Sequence, residues 1–470
     1  MKVDRESGHM LGVPWSLTQL EPKPPSRPPA SARIGVEASG LKPAFHGWRI
    51  LGVLSTTSIL VQGGTFLFFP VLIVPLQQSF GWSRAEISAG YSLSYLVMAT
   101  FVLVGGRLAD RSGARTVMAV GAGIGCLSLL CVTQIHQLWQ FYLAWGLGIG
   151  VVMGLTLNEV PFTTIANWFI RMRGRALAIF SGVGGLSTPV LVPLLGLGIA
   201  TWGWRPTTAA MGIAFGLIML PAFVIFVRRR PEDLGEHPDG RVEQEAAHAV
   251  TSQAASLGTA FWAALRAPSF WFVTTAVALS NLAFGLAGTH LVAYLIGQGY
   301  LPVVAAGVLG LVGLVSLPSR VVLSLGTERF GGRPMLAFAL LAEGVGIACL
   351  LLAGNHAWLA LFIVVFGIYY GSVGPLRAAT IADEFGRQAF GSIAAAAAFP
   401  TYIAIGLGAF IAGWIFDVLS SYQSTFGFAA AACVIGALMV AVMPTNNSRK
   451  QPQRTGWTRL LSGLRRNHLP

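Results

Sequence analysis

Three side chains inside long apolar stretches of the sequence could bind a charged group or a proton. Arg320 lies among Val, Leu and Gly, whereas His290 and Glu343 each lie within another apolar stretch. A charge at such a position costs about 3 kcal/mol or more unless it faces a wet cavity or a partner. A guanidinium stays protonated and can hold a carboxylate by two parallel hydrogen bonds, and an imidazole titrates near physiological pH. Which role each residue can have depends on the elements that carry it.

The composition indicates that these elements lie in a bilayer. Of 470 residues only 10% are charged, 54% are hydrophobic, and the mean hydropathy is +0.66. An ordinary globular chain is about 25% charged. This chain has too few charges to cover a water-facing surface, which excludes a soluble enzyme and a disordered or fibrous protein. The net charge of +13 arises from scarce acids rather than from a basic patch, so no nucleic-acid partner is predicted.

The apolar stretches predict an all-α polytopic membrane protein with twelve transmembrane helices, since a span needs about 20 mostly apolar residues. The spans are expected near 50–74, 86–106, 115–135, 138–162, 176–200, 206–227, 268–296, 303–326, 334–353, 357–379, 389–414 and 424–443. They divide into two six-helix bundles, 46–228 and 268–444. The remaining segments are a Pro-rich tail (1–45) without a signal-peptide pattern, a central loop (229–267) and a basic tail (445–470).

The distribution of basic residues predicts the orientation. With the amino terminus inside, 28 Lys and Arg residues fall on the inner side, and only Arg84 and Arg205 fall in outer loops. Because cytoplasmic loops carry the excess of Lys and Arg, both termini are expected in the cytoplasm. The lipid bilayer is therefore the first predicted partner.

The two halves of the chain repeat each other. Residues 106–115 read Gly-Arg-Leu-Ala-Asp-Arg-Ser-Gly-Ala-Arg, and at a shift of 218 residues 324–333 repeat the acid, Arg, Gly and Arg in register. Further on, Thr-Ile-Ala-Asn at 164–167 corresponds to Thr-Ile-Ala-Asp at 380–383. Duplicated bundles of this kind are expected to place a substrate site near the midplane, between the halves.

Residues 106–115 resemble the loop signature of the major facilitator superfamily between its second and third spans, and the resemblance covers about residues 45–444. It implies two pseudo-symmetric six-helix bundles. A narrower likeness is to the branch of monocarboxylate transporters and oxalate/formate antiporters, especially its bacterial members, and implies a location in a bacterial cytoplasmic membrane. The segments that carry this likeness are 45–49, 80–88, 173–178, 203–205, 230–235, 290–294 and 382–387.

The branch resemblance implies that Arg320 binds the carboxylate of the substrate. The alternative is a structural ion pair with an acid on a neighbouring span, such as Glu343. Monocarboxylate transporters typically carry an Asp four residues before this Arg and a Lys after the Pro of span one, where this chain has Ser316 and Val71. No Lys occurs between residues 43 and 449, so one positive charge remains in the cavity, which favours a monoanion over a dianion.

If transport is coupled to protons, another titratable group must replace the missing Asp. His290 and Glu343 are the candidates, and a structural hydrogen-bonding role is the alternative for each. The fold implied by the resemblance forms its cavity from spans one, four, seven and ten, and polar groups there face either the cavity or another helix. These further candidates for substrate binding are Gln62, Asn158, Asn281, Tyr369 and Tyr370.

The duplicated turns after spans two and eight are expected to act as conformational latches that hold the inner side shut while the outer side is open. In the family the Asp of this motif, which follows span two, caps the N-terminus of span eleven. An acid is favourable at a helix N-terminus. Several of the arginines also serve the membrane orientation. The gating candidates are Asp110, Arg111, Gly113, Arg115, Glu328, Arg329 and Arg333.

Together these observations predict a secondary transporter of a small organic anion, a monocarboxylate, that works by alternating access, with a proton as the candidate co-substrate in symport or antiport. The alternative is an exporter of amphipathic metabolites or drugs on the same fold. The sequence has no Walker loop and no His/Cys cluster with metal spacing, so we expect no enzyme activity, cofactor or metal. A monomer is expected.

Overall fold

The computed structural model describes residues 45–444, with gaps at 158, 171, 229, 238, 240–260 and 387–389. The two tails, apart from Phe45, and most of the predicted central loop lie outside the described residues. Asn158 also lies outside them. Within the helices, the side chains of Leu103, Arg107, Asp110 and Phe390 are outside the described part.

Twelve long helices run through the part of the chain that the structure describes, which confirms the predicted all-α fold. Among the described residues, eleven of them are long and apolar enough to cross a membrane by length and composition, and α2 is as long. The helices are α1 (His46–Phe80), α2 (Arg84–Ser112), α3 (Ala114–Thr133), α4 (Leu138–Trp168), α5 (Arg173–Trp202), α6 (Trp204–Phe226), α7 (Pro268–Gly297), α8 (Pro302–Phe330), α9 (Gly332–Leu350), α10 (His356–Phe385), α11 (Phe390–Leu419) and α12 (Gln423–Val442).

Local sequence explains where several helices begin. Ser83 caps α2 by accepting from the Glu86 backbone N–H, and the Glu86 side chain accepts from the Ser83 N–H in return, so two otherwise unpaired donors are satisfied. Pro268 and Pro302 start α7 and α8, where the missing N–H of proline has no helical partner to lose.

Corresponding positions in the two halves have similar backbone angles and hydrogen bonds. Gly113 and Gly331 adopt φ values of +86° and +83° between α2 and α3 and between α8 and α9, a region that favours glycine. Thr164 donates to the Val160 carbonyl at 2.8 Å, and Thr380 donates to the Leu376 carbonyl at the same distance. The duplication seen in the sequence is therefore a duplication of structure.

Helices α1 and α7 are both interrupted. The first part of α1 ends at Gly64 and the helix resumes at Phe69, and α7 is interrupted over residues 288–290. The second parts, Phe69–Phe80 and Leu291–Gly297, contact each other. Such breaks are tolerated in a membrane where backbone is covered by protein or lines a cavity.

Helices α1–α6 pack together, α7–α12 pack together, and the two groups meet mainly through α2 with α11 and α5 with α8. We call the ends that carry the α2–α3 and α8–α9 turns inner, following the predicted orientation. The outer segment of α5, Ser187–Trp202, packs along α8, whereas the inner segment, Arg173–Gly185, contacts α8 much less. The bundles thus meet along their outer halves.

Candidate functional site

Arg320 lies on α8 where the two bundles meet. Its Nη1 donates a 2.9 Å hydrogen bond to the Ser181 carbonyl of α5, and a Cβ atom added at Gly185 would lie 3.2 Å from its Cζ. Its Nε is buried without a hydrogen-bond partner among the described residues. Its electrostatic neighbour is Tyr370, and no described carboxylate forms an ion pair with it. The guanidinium therefore has a free donor and an uncompensated charge.

A glycine on α10 makes room for this arginine. A Cβ atom at Gly371 would lie 2.8 Å from Arg320 Cγ and would also meet the backbone of Ser316. The Ser316 hydroxyl, one turn before Arg320, donates to the Gly313 carbonyl at 2.7 Å. The position at which monocarboxylate transporters carry an Asp is therefore occupied by a hydroxyl bound to its own helix.

Tyr370 of α10 lies beside the guanidinium and next to aromatic residues of α7 and α2. The Tyr370 hydroxyl is 3.3 Å from the Thr188 hydroxyl, so the two bundles also share a hydrogen bond here. The Tyr370 ring is 5.8 Å from the Phe284 ring, and it also neighbours Tyr91 and Tyr95, whose rings are 5.0 Å apart. A ligand held by the guanidinium would also meet the Tyr370 ring.

Two other predicted binding residues have different surroundings. Gln62 accepts a 3.2 Å hydrogen bond from Ser187, and its amide lies against Gly184, so it joins α1 to α5 next to the residues that face Arg320. Asn281 is half-buried one turn inward of Phe284, and it forms no hydrogen bond with the residues that the structure describes.

Glu343 and Tyr369 form a separate cluster inside the second bundle. The Glu343 side chain is fully buried, and its Oε2 accepts a 2.6 Å hydrogen bond from Ser280. The Tyr369 hydroxyl is 3.1 Å from the same Ser280 oxygen. Tyr369 therefore faces this cluster and not Arg320. The ion pair between Glu343 and Arg320, left open by the sequence, is not formed in this conformation.

His290 lies on the outer side, buried between the bundles. Its Nε2 is 2.9 Å from the Ala409 carbonyl and 3.3 Å from the Ser88 hydroxyl, and its Nδ1 is 2.9 Å from the Tyr422 hydroxyl. Because a carbonyl only accepts, the proton of the neutral ring is assigned to Nε2. Tyr422 then donates to Nδ1 and accepts from Arg84 Nη1 at 2.6 Å.

The same region joins the start of α2 to the end of α11. The Asp417 carboxylate accepts hydrogen bonds from the backbone N–H groups of Arg84 (3.0 Å) and Ala85 (2.7 Å), which suits an acid at a helix N-terminus. The Arg84 guanidinium lies 3.6 Å from the centre of the Phe416 ring. We call Arg84, His290, Asp417 and Tyr422 the outer gate.

The sequence prediction did not include Arg84 or Tyr422 among the functional residues. A signal for Arg84 was present, because it and Arg205 are the two basic residues predicted in outer loops. Arg205 bonds to the Thr133 carbonyl in its own bundle, whereas Arg84 crosses between bundles. Tyr422 had no comparable signal, since a tyrosine at a membrane boundary is common.

The predicted latch residues lie at the inner turns. Arg333 donates to the Val440 and Ala441 carbonyls at 2.8 and 2.7 Å, so it holds the end of α12 within its own bundle. Gly113 has the left-handed φ described above, and the side chain of Asp110 is outside the described part. The exposed members are Arg111, Arg115, Glu328 and Arg329. No described member forms a hydrogen bond between the bundles, so the latch stays a prediction.

Among the residues that the structure describes, no group of His, Cys, Asp and Glu is arranged to hold a metal ion. The four cysteines are unpaired. The chemistry that the site offers is thus a guanidinium with free donors, hydroxyl groups and aromatic surface.

Comparison with known proteins agrees with this architecture. The chain is 26% identical to the oxalate:formate antiporter of Oxalobacter formigenes, over 82% of this chain and 90% of that protein. It is 25% identical to monocarboxylate transporter 13 of Rattus norvegicus, over 86% and 90%. A solved structure of a bacterial homologue of the human lysosomal transporter Spinster matches with a TM-score of 0.67 at 14% identity, over 86% of this chain and 96% of that one.

A sequence model of the Major Facilitator Superfamily matches residues 54–325 and 324–469, which together include almost all of the described helices. The structure agrees with that match, since it has twelve long helices among the described residues, duplicated turns, and bundles that meet through α2 with α11 and α5 with α8. The chain therefore belongs to the Major Facilitator Superfamily and is a multi-pass membrane transporter.

Proposed function

We propose that this protein is a secondary active transporter of a small organic anion, a monocarboxylate, and that Arg320 binds the carboxylate. The proposal rests on the surroundings of the Arg320 guanidinium. It lies between the bundles, it is bonded to one carbonyl, and its Nε has no partner. A half-buried cation in an apolar segment without a counter-charge is costly, and a carboxylate bound in parallel to two guanidinium N–H groups would supply both the charge and the acceptors.

The charge of the site supports a monoanion. The position of the second cation in monocarboxylate transporters is Val71, which is buried in the outer part of α1, and Ser316 replaces the Asp. One guanidinium balances one carboxylate, so a second carboxylate on the same ligand would remain unpaired. Relatives named for oxalate and formate exchange and for monocarboxylate transport support a substrate from the organic acids.

Alternating access follows from the way the bundles meet. In this conformation the outer gate and the outer parts of α5 and α8 join the bundles, and the inner segment of α5 contacts α8 much less. Substrate would reach Arg320 from the inner side here and from the outer side after the outer gate opens. We infer from the charge distribution that the inner side is the cytoplasm and that both termini lie there. The resemblance to bacterial members of the branch supports a bacterial cell, and we propose a monomer as the working unit.

A second candidate, an exporter of amphipathic metabolites or drugs, has one observation in its favour. Tyr370 lies beside the cation, and Phe284, Tyr91 and Tyr95 are aromatic neighbours of Tyr370. An amphipathic compound would use this aromatic surface more than the charge. Transport of aromatic compounds that persists in Arg320→Ala would favour this candidate.

The test is uptake of radiolabelled lactate, pyruvate, formate, oxalate and aromatic acids into proteoliposomes, with and without a pH gradient. Loss of a charge-assisted pair corresponds to about 2 kcal/mol or more, so Arg320→Ala should lower uptake of the preferred acid by roughly thirtyfold or more. Arg320→Lys should recover little, since an ammonium lacks the planar pair of donors. Arg266→Ala, which changes an exposed arginine just before α7, is the control. Normal carboxylate uptake by Arg320→Ala would overturn the proposal.

A further inference from the structure

Glu343 is the only fully buried acid among the side chains that the structure describes. Its Oε2 accepts from Ser280 at 2.6 Å, and its Oε1 has no hydrogen-bond partner. A structural carboxyl group of this kind would be expected to have both oxygens satisfied. Glu343 Oε1, which has no partner, could carry a proton.

The groups around Glu343 come from three other helices. Ser280 of α7 and Tyr369 of α10 carry hydroxyl groups, and Cys433 of α12 carries a thiol. From α8, the remaining helix in contact with α9, no charged group faces the carboxyl among the described residues. An ionised carboxyl group without a cation is costly in a dry interior, whereas a protonated one is a neutral donor and acceptor. Three donors nearby can stabilise the ion when the proton leaves.

Three consecutive residues of α10 connect this cluster with the anion site. Tyr369 is 3.1 Å from the Ser280 hydroxyl that bonds Glu343. Tyr370 is 3.3 Å from Thr188 of the other bundle. Gly371 packs against Arg320 so closely that an added Cβ would lie 2.8 Å from Arg320 Cγ. A displacement of this one turn therefore acts on the acid, the bundle interface and the arginine together.

We propose that Glu343 is the proton-binding group of the carrier and that residues 369–371 couple its protonation to the binding of the anion at Arg320. The proposal rests on the proposed function for its anion. The step is a simple proton transfer: the Glu343 carboxylate takes one proton from water on one side, becomes a neutral carboxylic acid, and returns the proton on the other side.

The coupling follows from the hydrogen bonds. When Glu343 is ionised it accepts from Ser280 and attracts the Tyr369 hydroxyl as a second donor, and when it is protonated it competes as a donor itself. The Tyr369 side chain is thus held differently in the two forms. Gly371, which packs against Arg320, is two residues further along α10 than Tyr369. A shift of Tyr369 therefore moves Gly371 and changes how Arg320 lies against α5.

The main experiment compares Glu343→Gln with wild type in two transport assays. The glutamine keeps the shape and can still accept from Ser280, but it does not exchange a proton. We expect exchange of internal for external labelled substrate to continue, and accumulation driven by an inward pH gradient to fall to the level without a gradient. Glu232→Gln, an exposed acid in the segment after α6 to which no role is assigned, should retain both activities. Gradient-driven accumulation that is unchanged in Glu343→Gln would overturn the proposal.

A second measurement covers the cases in which the variant does not fold or no tested acid is carried. Purified wild-type protein is prepared with ¹³C-labelled glutamate, and infrared difference spectra are recorded across a pH titration. We expect a glutamic acid C=O band in the position of a dry, protonated carboxyl group, and its intensity should change with pH. Absence of any glutamate band that responds to pH would overturn the proton site whatever the substrate is. A responsive band without carboxylate transport would leave the proton site standing and overturn the anion assignment instead.

Tyr369→Phe tests the connection itself. It removes the hydroxyl that faces Ser280 and keeps the ring. Exchange should continue and the dependence of accumulation on the pH gradient should weaken, while the infrared band remains. Full coupling in Tyr369→Phe would show that the connection does not pass through this hydroxyl.

Discussion

The Arg84 guanidinium at the start of α2 donates a 2.6 Å hydrogen bond to the hydroxyl of Tyr422 at the start of α12. Tyr422 in turn bonds His290 of α7, and His290 bonds the Ala409 carbonyl of α11. One continuous series of hydrogen bonds thus joins the two bundles on the outer side. If the bundles rock during transport, this series has to break each time the outer side opens.

The first prediction concerns this series. Tyr422→Phe removes the hydroxyl but keeps the ring that stacks on Phe426 at 5.5 Å. Leaving buried partners of a hydrogen bond unsatisfied costs about 1–3 kcal/mol, so the outward-open population should rise by about fivefold or more. The measurement is labelling of a cysteine placed at Ser92, which is packed against Gly406, in a background without the four native cysteines.

The control for this prediction is Tyr294→Phe, since the Tyr294 hydroxyl donates to the Leu350 carbonyl within its own bundle. It should leave the labelling rate unchanged. Equal labelling of the cysteine at position 92 in Tyr422→Phe and in the control would mean that this hydroxyl does not hold the outer side closed.

Much of the fold follows from the sequence because its signals are local. Gly113 and Gly331 stand at matching positions of two similar segments, and both have the same left-handed φ in the structure. The membrane-spanning segments are equally visible, since their length and hydropathy are set by the bilayer. The sequence also singled out Arg320 as a candidate, because a charged residue in an apolar segment is conspicuous.

The direction in which each polar residue faces could not be predicted in this way. Helices in a membrane are apolar nearly all round, so the pattern that marks the inner face of a soluble helix is weak. Tyr369 and Tyr370 are neighbours in sequence, yet one faces Glu343 and the other faces Thr188. For His290 the sequence left both a proton-coupling and a structural role open. The side chain lies in the outer gate, where its partners come from distant parts of the chain.

The second prediction concerns the contact between the bundles near Arg320. Thr188→Val keeps the shape and removes the hydroxyl that meets Tyr370 at 3.3 Å. We expect KM to rise by about fivefold, since one hydrogen bond contributes about 1 kcal/mol. The protein amount should stay at the wild-type level. Kinetics of uptake measure the effect.

Thr201→Val on the same helix is the matched control, because the Thr201 hydroxyl is exposed and bonds its own helix at Leu197. It should leave KM at the wild-type value. If Thr188→Val did the same, the Tyr370 hydroxyl would have to be positioned by something other than this contact.

The third prediction compares the effects on uptake of replacing two glycines of α10 by alanine. Gly371→Ala would place a Cβ 2.8 Å from Arg320 Cγ and against the backbone of Ser316, and overpacking of this kind costs about 1–3 kcal/mol. Gly374→Ala, one turn further along, meets nothing within 4 Å. Uptake per folded molecule should fall by about tenfold or more in the first variant and stay near wild type in the second. Equal uptake by both would remove Gly371 from the site.

The fourth prediction concerns stability rather than transport. Arg333 donates to the carbonyls of Val440 and Ala441 at the end of α12, where a cation is favourable and the last carbonyls lack helical partners. Arg333→Met should lower the free energy of unfolding by about 1–2 kcal/mol, seen as a lower Tm in detergent. Arg329→Met, whose side chain is exposed, should change Tm little. A larger loss in the second variant would contradict this account.

The fifth prediction restores the acid that monocarboxylate transporters carry one turn before the arginine. Ser316→Asp places a carboxyl group four residues before Arg320 on α8, a spacing at which helical side chains meet. Ionised, it would pair with Arg320 and compete with the substrate; protonated, it would leave the guanidinium free. Uptake should therefore be low under mildly alkaline conditions and should rise as the pH falls. Ser316→Asn has the same size without the charge and is the control, so it should add no such pH dependence. A pH profile shared by the two variants would mean that position 316 does not reach Arg320, and that the anion site is arranged differently from the one proposed.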